Sequence, residues 1–304
     1  MKQVCLRSIE SKAFILTAAL SSLWAGPIAA QTLPPAFFQV AVQARSNSFN
    51  DDALLDNRGA AINASLDLTG TDSHGFFSQF VGEARTTGGM KPMADVQGSA
   101  IFASGNAIAT LSYAFRATPV NPAVIAPGPV PVFMDAAASI DVTTDPANVT
   151  DIGGRAFFRI DEAADAFRDP QLRNFGPGFR GFEIDAIIDD NGIGRAEFAA
   201  TYRLGLSPSG AIHGITLFAN GATGNAPVDS SFEFQSVIDP VFRIDPDASF
   251  DVSGVRVSFA DAYRLEFSEG VVPFVVPEPS SLMMMLGLGL MIAAGTVRRH
   301  RSRA

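Results

Sequence analysis

The sequence has one cysteine, Cys5, and one tryptophan, Trp24, among its 304 residues. Both lie within the first 30 residues, before the long segment that could form a folded body. A disulfide, a thiol nucleophile and a thiolate metal site all require cysteine, so the body cannot contain any of them. Non-covalent interactions must therefore hold its fold together.

Histidine is almost as scarce, because only His74 and His213 lie between residues 31 and 275. Neither has a histidine or cysteine neighbour at metal-ligand spacing, and no His-Glu-x-x-His or Gly-x-Ser-x-Gly string occurs. Both are therefore interpreted as surface or turn histidines. The many carboxylates could supply the pair that glycoside hydrolysis requires, but no spacing singles one out. We therefore expect a protein that is not an enzyme and has no resident cofactor.

Positive charge is also in short supply in the body. Three of the 22 basic residues precede residue 31 and four follow residue 297, which leaves 15 in the body. Only Glu10 and Glu278 of the 31 acidic residues lie outside it, so the body carries 29 and a formal charge near −14. Nucleic acids are excluded as expected partners, because their binding depends on cations that neutralise phosphates.

Residues 1–30 are typical of a signal peptide. Lys2, Arg7 and Lys12 precede the apolar stretch 13–25, and the small residues Ala29 and Ala30 follow it. We predict an N-terminal signal helix that is removed after Ala30, so that the body, residues 31–275, is exported across the inner membrane.

The C-terminal segment, residues 276–304, has three consecutive parts. It begins with Val276, Pro277, Glu278 and Pro279, continues with the uncharged run 282–297, and ends with a basic tail at 298–304 that contains Arg298, Arg299, Arg301 and Arg303. As a helix the run would be about 24 Å long, which is short for a bilayer span but usable. The arginines favour a cytoplasmic C-terminus, so we predict a single transmembrane helix with the body outside.

The two prolines remove backbone donors and favour extended backbone around Glu278, which would present an unpaired strand to a processing enzyme. In this order of motif, helix and basic tail the chain resembles the PEP-CTERM family. The resemblance implies recognition by a membrane enzyme, exosortase, which removes the tail and releases or transfers the body to the cell surface, often alongside exopolysaccharide. An ordinary C-terminal anchor with a chance Pro-Glu-Pro is the alternative.

Apolar residues alternate with polar ones with a period of two through most of the body, which predicts β-strands. At 182–188 the apolar side chains occupy even positions, and at 195–204 Phe198, Ala200, Tyr202 and Leu204 share one face. Further strands are predicted at 37–44, 61–68, 76–84, 107–116, 133–142, 155–160, 212–218, 231–237, 255–259 and 263–267.

The connections between these strands carry their own signals. Asn191-Gly192 favours a type I′ turn and predicts a hairpin between 182–188 and 195–204. Asp261 would fall on a buried face, so a bulge or bend is expected at residues 260–262. Residues 161–168 could form a short helix.

These patterns predict an all-β body, an antiparallel β-sandwich of jelly-roll-like type. The proline-rich stretch 118–131 is either a linker between two domains or a long loop within one.

Two further interpretations concern binding. Asp245, Asp247 and Asp251 lie in a loop-like stretch and could supply oxygen ligands to calcium, although solvated turn acids are the commoner explanation. Tyr113, Tyr202 and Tyr263 share the inward parity of their strands, so they are interpreted as core residues with hydroxyls that reach the edge. That weakens a lectin-like function without excluding it.

The sequence thus leads to an exported, non-catalytic surface or extracellular-matrix protein that an exosortase sorts and processes. The alternative is a carbohydrate-binding or carbohydrate-cleaving β-sandwich of an exopolysaccharide matrix. A groove with exposed tyrosines or paired acids would favour the alternative.

Overall fold

The structure, a computed structural model, describes residues 32–45, 50–58, 62–71, 77–87, 92–101, 103–145, 152–189, 191–223 and 231–271. These residues belong to one compact unit that ends at residue 273. The predicted signal helix and the predicted helix at 282–297 lie outside the described residues. Within those residues, none of the helices has the length and apolar character needed to cross a bilayer.

The described part of the chain is built mainly from antiparallel strands, as the sequence predicts. Their bounds are β1 Phe37–Arg45, β2 Asn50–Arg58, β3 Ile62–Thr71, β4 Phe77–Thr87, β5 Met93–Ile101, β6 Ser104–Pro119, β7 Val130–Asp145, β8 Ile152–Asp161, β9 Arg173–Asn174, β10 Phe179–Ile187, β11 Ile193–Leu206, β12 His213–Thr223, β13 Ser231–Ile244, β14 Ser249–Val252, β15 Val255–Ser258 and β16 Tyr263–Phe267.

The strands form two large sheets and one small hairpin. The eight-stranded sheet has the order β2-β1-β6-β12-β8-β10-β9, and β16 also pairs with β6. The six-stranded sheet has the order β11-β7-β13-β5-β4-β3, and β14 pairs with β15. Strand β6 pairs with β1 through residues 104–112 and with β16 through residues 115–119, so it holds both the first and the last strand of the body.

The two sheets pack face to face over a shared apolar core. Strands β6 and β12 contact β4, β5 and β13 of the other sheet. Along β7 and β13 the buried side chains alternate with more exposed ones, which is the period that the sequence shows. Phe38, Leu111, Phe158 and Met134 are among the large side chains without solvent exposure.

Glycines in one sheet make room for large side chains of the other. A Cβ at Gly221 would lie 1.9 Å from the ring of Phe234, and a Cβ at Gly154 would lie 2.4 Å from Ile140. Gly221 and Gly154 are direct neighbours on β12 and β8. The ring of Phe234 also covers Gly98 of its own sheet. Close approach of β12 and β8 to the other sheet therefore depends on the missing side chains.

Every predicted body strand corresponds to an observed one, whereas β2, β5 and the short strands β9 and β14 were not predicted. Strand β2 contains Asp51, Asp52, Asp56 and Asn57, which are uncommon in strands. Strand β5 contains Gly98 and two alanines, and its place in the sheet comes from pairing with β4 and β13 on either side. Pairing with neighbours overrides weak strand propensity at both places.

The predicted hairpin between β10 and β11 is wrong. A turn is present, since the backbone N–H of Gly192 donates to the carbonyl of Asp189 at 3.0 Å and Gly192 has a φ of 74°. It is not the predicted type I′ turn, because Asn191 does not have a positive φ. In addition, β10 pairs with β8 in one sheet and β11 pairs with β7 in the other. Both strands need a buried face, and the turn directs them to opposite sides of the core, where Phe182 and Phe198 stack with their centroids 3.8 Å apart.

The break predicted near Asp261 is observed as a one-turn helix, Phe259–Ala262. It keeps Asp261 exposed while Phe259 and Tyr263 remain buried. The short helix expected at 161–168 is a single 3-10 turn, Glu162–Ala164. The proline-rich stretch connects β6 to β7, which lie in different sheets. The backbone N–H of Ala126 in this connection donates to the Tyr263 hydroxyl at 2.8 Å.

Candidate functional site

The residues that the sequence singles out for sorting cannot be examined structurally. Val276, Pro277, Glu278, Pro279, Arg298, Arg299, Arg301 and Arg303 all lie outside the described residues.

The three carboxylates considered for calcium are described, and they differ in environment. Asp245 is buried, lies 3.5 Å from a guanidinium nitrogen of Arg203, and accepts the backbone N–H of Asp247 at 3.0 Å. Asp247 and Asp251 are exposed. Over the described ranges, no group of three or more His, Asp or Glu side chains is arranged to hold a metal ion. Calcium binding here stays a prediction, and the contacts of Asp245 are those of a turn-stabilising carboxylate.

All three tyrosines belong to the core, as predicted. Tyr113, Tyr202 and Tyr263 are at most 3% exposed. Tyr263 accepts a backbone hydrogen bond, but the hydroxyls of Tyr113 and Tyr202 are buried without a hydrogen-bond partner among the described residues, so they do not reach the edge. Burial raises the pKa of both phenols. No tyrosine is available in this part of the chain to stack on a ligand.

The outer face of the six-stranded sheet carries two hollows with polar side chains, and we call this surface the sheet groove. Its larger hollow has a volume of about 550 Å³. Side chains from five strands line it: Val81, Glu83, Gln97, Ser99, Asp141, Thr143, Arg195, Glu233 and Gln235. A second hollow of about 440 Å³ lies on the same face. Its lining from β7, β11 and β13 consists of Ala137, Ala138, Ser139, Glu197, Phe198, Ala199, Val237 and Asp239.

Strand register explains why these side chains converge. Arg195 pairs with Asp141, Asp141 with Gln235, Gln235 with Gln97, and Gln97 with Glu83, so one polar row crosses β11, β7, β13, β5 and β4. With strands about 4.8 Å apart, this row is about 19 Å long.

Neighbours in the row hold one another in place. An Arg195 guanidinium nitrogen lies 2.9 Å from a carboxylate oxygen of Asp141. The amide of Gln97 donates to Glu83 at 2.8 Å. The row therefore presents amide and carboxylate groups side by side, with contacts between neighbours at both of its ends.

Charge is unevenly distributed over this face. Among the described residues that line the two hollows, five carry carboxylates, namely Glu83, Asp141, Glu197, Glu233 and Asp239, and one, Arg195, carries a guanidinium. At the other end of the same face, Arg243 lies 3.1 Å from Asp135 and Arg203 lies 3.5 Å from Asp245. Acidic side chains therefore outnumber basic ones among the described residues of the sheet groove.

Sequence reasoning found only part of this surface. The sequence placed Arg195 and Glu197 on the strand face opposite to Phe198 and Tyr202, but no spacing singled out a pair of carboxylates. Gln97 and Ser99 lie on β5, which was not predicted, and the strand order that joins β11 to β4 includes the pairing of β13 with β5, whose partners are at least 130 residues apart. The available signal was a polar residue at alternate positions, such as Glu233 and Gln235 on β13.

A separate buried polar cluster fixes the connection between β8 and β10. Asp165 is 2% exposed, lies 3.0 Å from a guanidinium nitrogen of Arg180 and accepts the backbone N–H of Asp169 at 2.8 Å. Asp169 in turn accepts the backbone N–H of Arg203 on β11 at 2.9 Å. Burial raises the pKa of Asp165. These contacts are internal to the fold, so the cluster is structural.

His213, the other buried titratable group of note, lies in an apolar part of the core. It is 3% exposed and its ring lies 5.9 Å from that of Phe115. Neither ring nitrogen has a hydrogen-bond partner within the described ranges. Burial lowers the pKa of His213 to about 4. The sequence-based interpretation as a surface or turn histidine is therefore wrong, since its inward parity on β12 places it in the core.

Comparison with known families gives one result. Residues 275–301 match the PEP-CTERM protein-sorting motif, so the C-terminal region carries that motif, and the resemblance noted in the sequence is confirmed. The match indicates a protein that is exported and sorted to the cell envelope or surface through exosortase. No curated protein matches the chain.

Proposed function

We propose that the protein is a non-catalytic component of the cell surface or extracellular matrix. In this proposal it crosses the inner membrane, is held briefly by the helix at 282–297, and is processed by an exosortase at Val276-Pro277-Glu278-Pro279. The single observation that carries the proposal is the sorting-motif match at residues 275–301. The signal-like N-terminus and the terminal arginines support the same direction of export.

The described body supports a non-catalytic role through what its buried titratable groups do. Asp165 is occupied by Arg180 and by a backbone donor, and His213 lies among aromatic rings. Both side chains therefore make their contacts with other residues of the body. An exopolysaccharide matrix is the setting that we propose for the released body.

We also infer that the body is a β-sandwich of jelly-roll-like type. Two observations favour this finer description. The sheets share one core, and the chain changes sheet at most of its connections, including β5 to β6, β6 to β7, β7 to β8, β10 to β11, β11 to β12 and β12 to β13.

Processing can be tested by mass spectrometry of the extracellular protein. We expect its C-terminus to lie near Pro277 to Pro279, with no peptide from residues 282–304. Replacing all three motif residues, Pro277→Ala, Glu278→Ala and Pro279→Ala, should keep the tail on the protein and hold it in the membrane fraction, because the extended recognition strand is lost.

The matched control is Ser280→Ala with Ser281→Ala, immediately after the motif, which should be processed like the natural sequence. An extracellular form that still ends at Ala304 would contradict the proposal. So would normal release of the triple variant.

A further inference from the structure

The larger hollow of the sheet groove has the volume of a ligand site and a mostly polar lining. Each hollow falls within the range of about 300–1,000 Å³ that is typical of small-molecule sites. Such sites are mostly lined by apolar side chains, and the smaller hollow fits this description, since alanines, Phe198 and Val237 make up most of its lining. Around the larger hollow the outward positions of five strands instead carry amides, hydroxyls and carboxylates, so an apolar ligand would lose water there without gaining contacts.

The polar groups are arranged for a long ligand. The row from Arg195 to Glu83 extends about 19 Å across the strands. A second row runs beside it, because Thr143 pairs with Glu233, Glu233 with Ser99, and Ser99 with Val81. Two parallel rows of hydrogen-bonding groups fit a chain of repeated polar units better than a single compact molecule.

The hydrogen-bonding groups of the lining favour a ligand that is rich in hydroxyl groups. Ionised carboxylates only accept hydrogen bonds, whereas the amides of Gln97 and Gln235 both donate and accept. Hydroxyls of a sugar can satisfy both kinds of group, since each is a donor and an acceptor. Charge-assisted hydrogen bonds from hydroxyl to carboxylate are also stronger than neutral ones.

The charge of the lining favours neutral polysaccharides over anionic ones. With five carboxylates and one guanidinium in the lining, a polyanion such as a polyuronate would be repelled. The formal charge of the body, near −14, acts in the same direction. A neutral polysaccharide does not meet this repulsion.

From these observations we propose that the sheet groove is a binding site for a neutral, hydroxyl-rich polysaccharide chain, held mainly by Glu83, Gln97, Glu233 and Gln235. Stacking is not part of this site, because Phe198 and Phe234 have the core-facing parity of their strands. The inference deepens the proposed function by naming the matrix component that the released body contacts.

Affinity electrophoresis of the full-length chain in detergent tests the proposal. The probes are three neutral polymers, dextran, mixed-linkage β-glucan and galactomannan, with alginate as the polyanion. We expect retardation by at least one neutral polymer and none by alginate. The proposal would be overturned if none of the three neutral polymers retarded the protein. It would also be overturned if alginate retarded the protein as much as a neutral polymer does.

Substitutions then locate the site. Gln97→Ala and Gln235→Ala should each weaken binding about tenfold, since losing a hydrogen bond to a charged or well-placed partner costs about 1.4 kcal/mol. The matched control is Gln171→Ala, which removes an exposed amide from the connection between β8 and β10. Unchanged binding in both groove variants, with unfolding midpoints like the natural protein, would place the ligand elsewhere and refute the assignment.

The binding test and the processing test have independent outcomes. A protein that keeps its tail can still bind polysaccharide, because the sheet groove lies wholly within β4 to β13. A protein that is processed normally can still fail to bind. Retention of the tail would contradict the proposed route to the surface. Failure to bind polysaccharide would contradict only the proposed ligand.

Discussion

At the scale of the residue, burial of a titratable side chain makes stability depend on pH. His213 has a folded-state pKa of about 4, below the ordinary value of 6.5. The unfolded chain therefore binds a proton at His213 at a higher pH than the folded chain does. The free energy of unfolding should fall by about 1.4 kcal/mol per pH unit as pH drops from 6.5 towards 4, and by about 3 kcal/mol in total.

The comparison that isolates this effect is His213→Leu, which removes the imidazole without breaking a hydrogen bond. Urea unfolding of both proteins at pH 7 and pH 4.5 should show a smaller loss of stability for the variant. Carboxylates such as Asp161 titrate in both proteins, so they cancel in the difference. Parallel pH curves would mean that His213 is solvated in the folded state.

At the scale of the element, the contact between β12 and β13 depends on a glycine. Gly221→Ala would bring a methyl group to 1.9 Å from the ring of Phe234, so one of the strands must shift. Overpacking of this kind costs about 1–3 kcal/mol, which should appear as a lower urea midpoint.

Gly128→Ala is the matched control, because nothing lies within 4 Å of the added Cβ in the connection between β6 and β7. It should change the free energy of unfolding by no more than about 0.5 kcal/mol. Equal stability of the two variants would show that the sheets are further apart than described.

The same elements show what sequence can and cannot predict. Period-two alternation located strands such as β7, β8 and β12 because each buries one face. It could not say which strands pair, and Asn191-Gly192 was misinterpreted because a turn signal fixes only the turn. The sheet groove needed the full strand order, since Gln97 and Gln235 are 138 residues apart in sequence yet adjacent in the sheet.

At the scale of the whole molecule, about half of the strand pairings among the described residues join strands that are distant in sequence. β1 pairs with β6, β6 with β12 and β16, and β5 with β13. Loops must close before these pairings form, so refolding from urea should take milliseconds to seconds or longer. Slower phases of tens of seconds should accompany it, because the chain has 19 prolines.

Stopped-flow tyrosine fluorescence can follow this refolding, because the body lacks tryptophan and its three tyrosines are buried. Reductant should leave the rates unchanged, since the body has no cysteine. A main phase completed in microseconds would contradict the non-local topology.

Strand β6 holds both chain ends of the body, and this has a consequence for export. If the N-terminus emerges first, β1 reaches the outside of the membrane well before residues 104–112 of β6 do. Until those residues arrive, β1 cannot pair with β6. The last pairing, between β16 and β6, needs residue 267, which comes only eight positions before the matched sorting segment begins at 275. In this order of export, the pairing that closes the body forms only after nearly all of the chain before the matched sorting segment has been delivered.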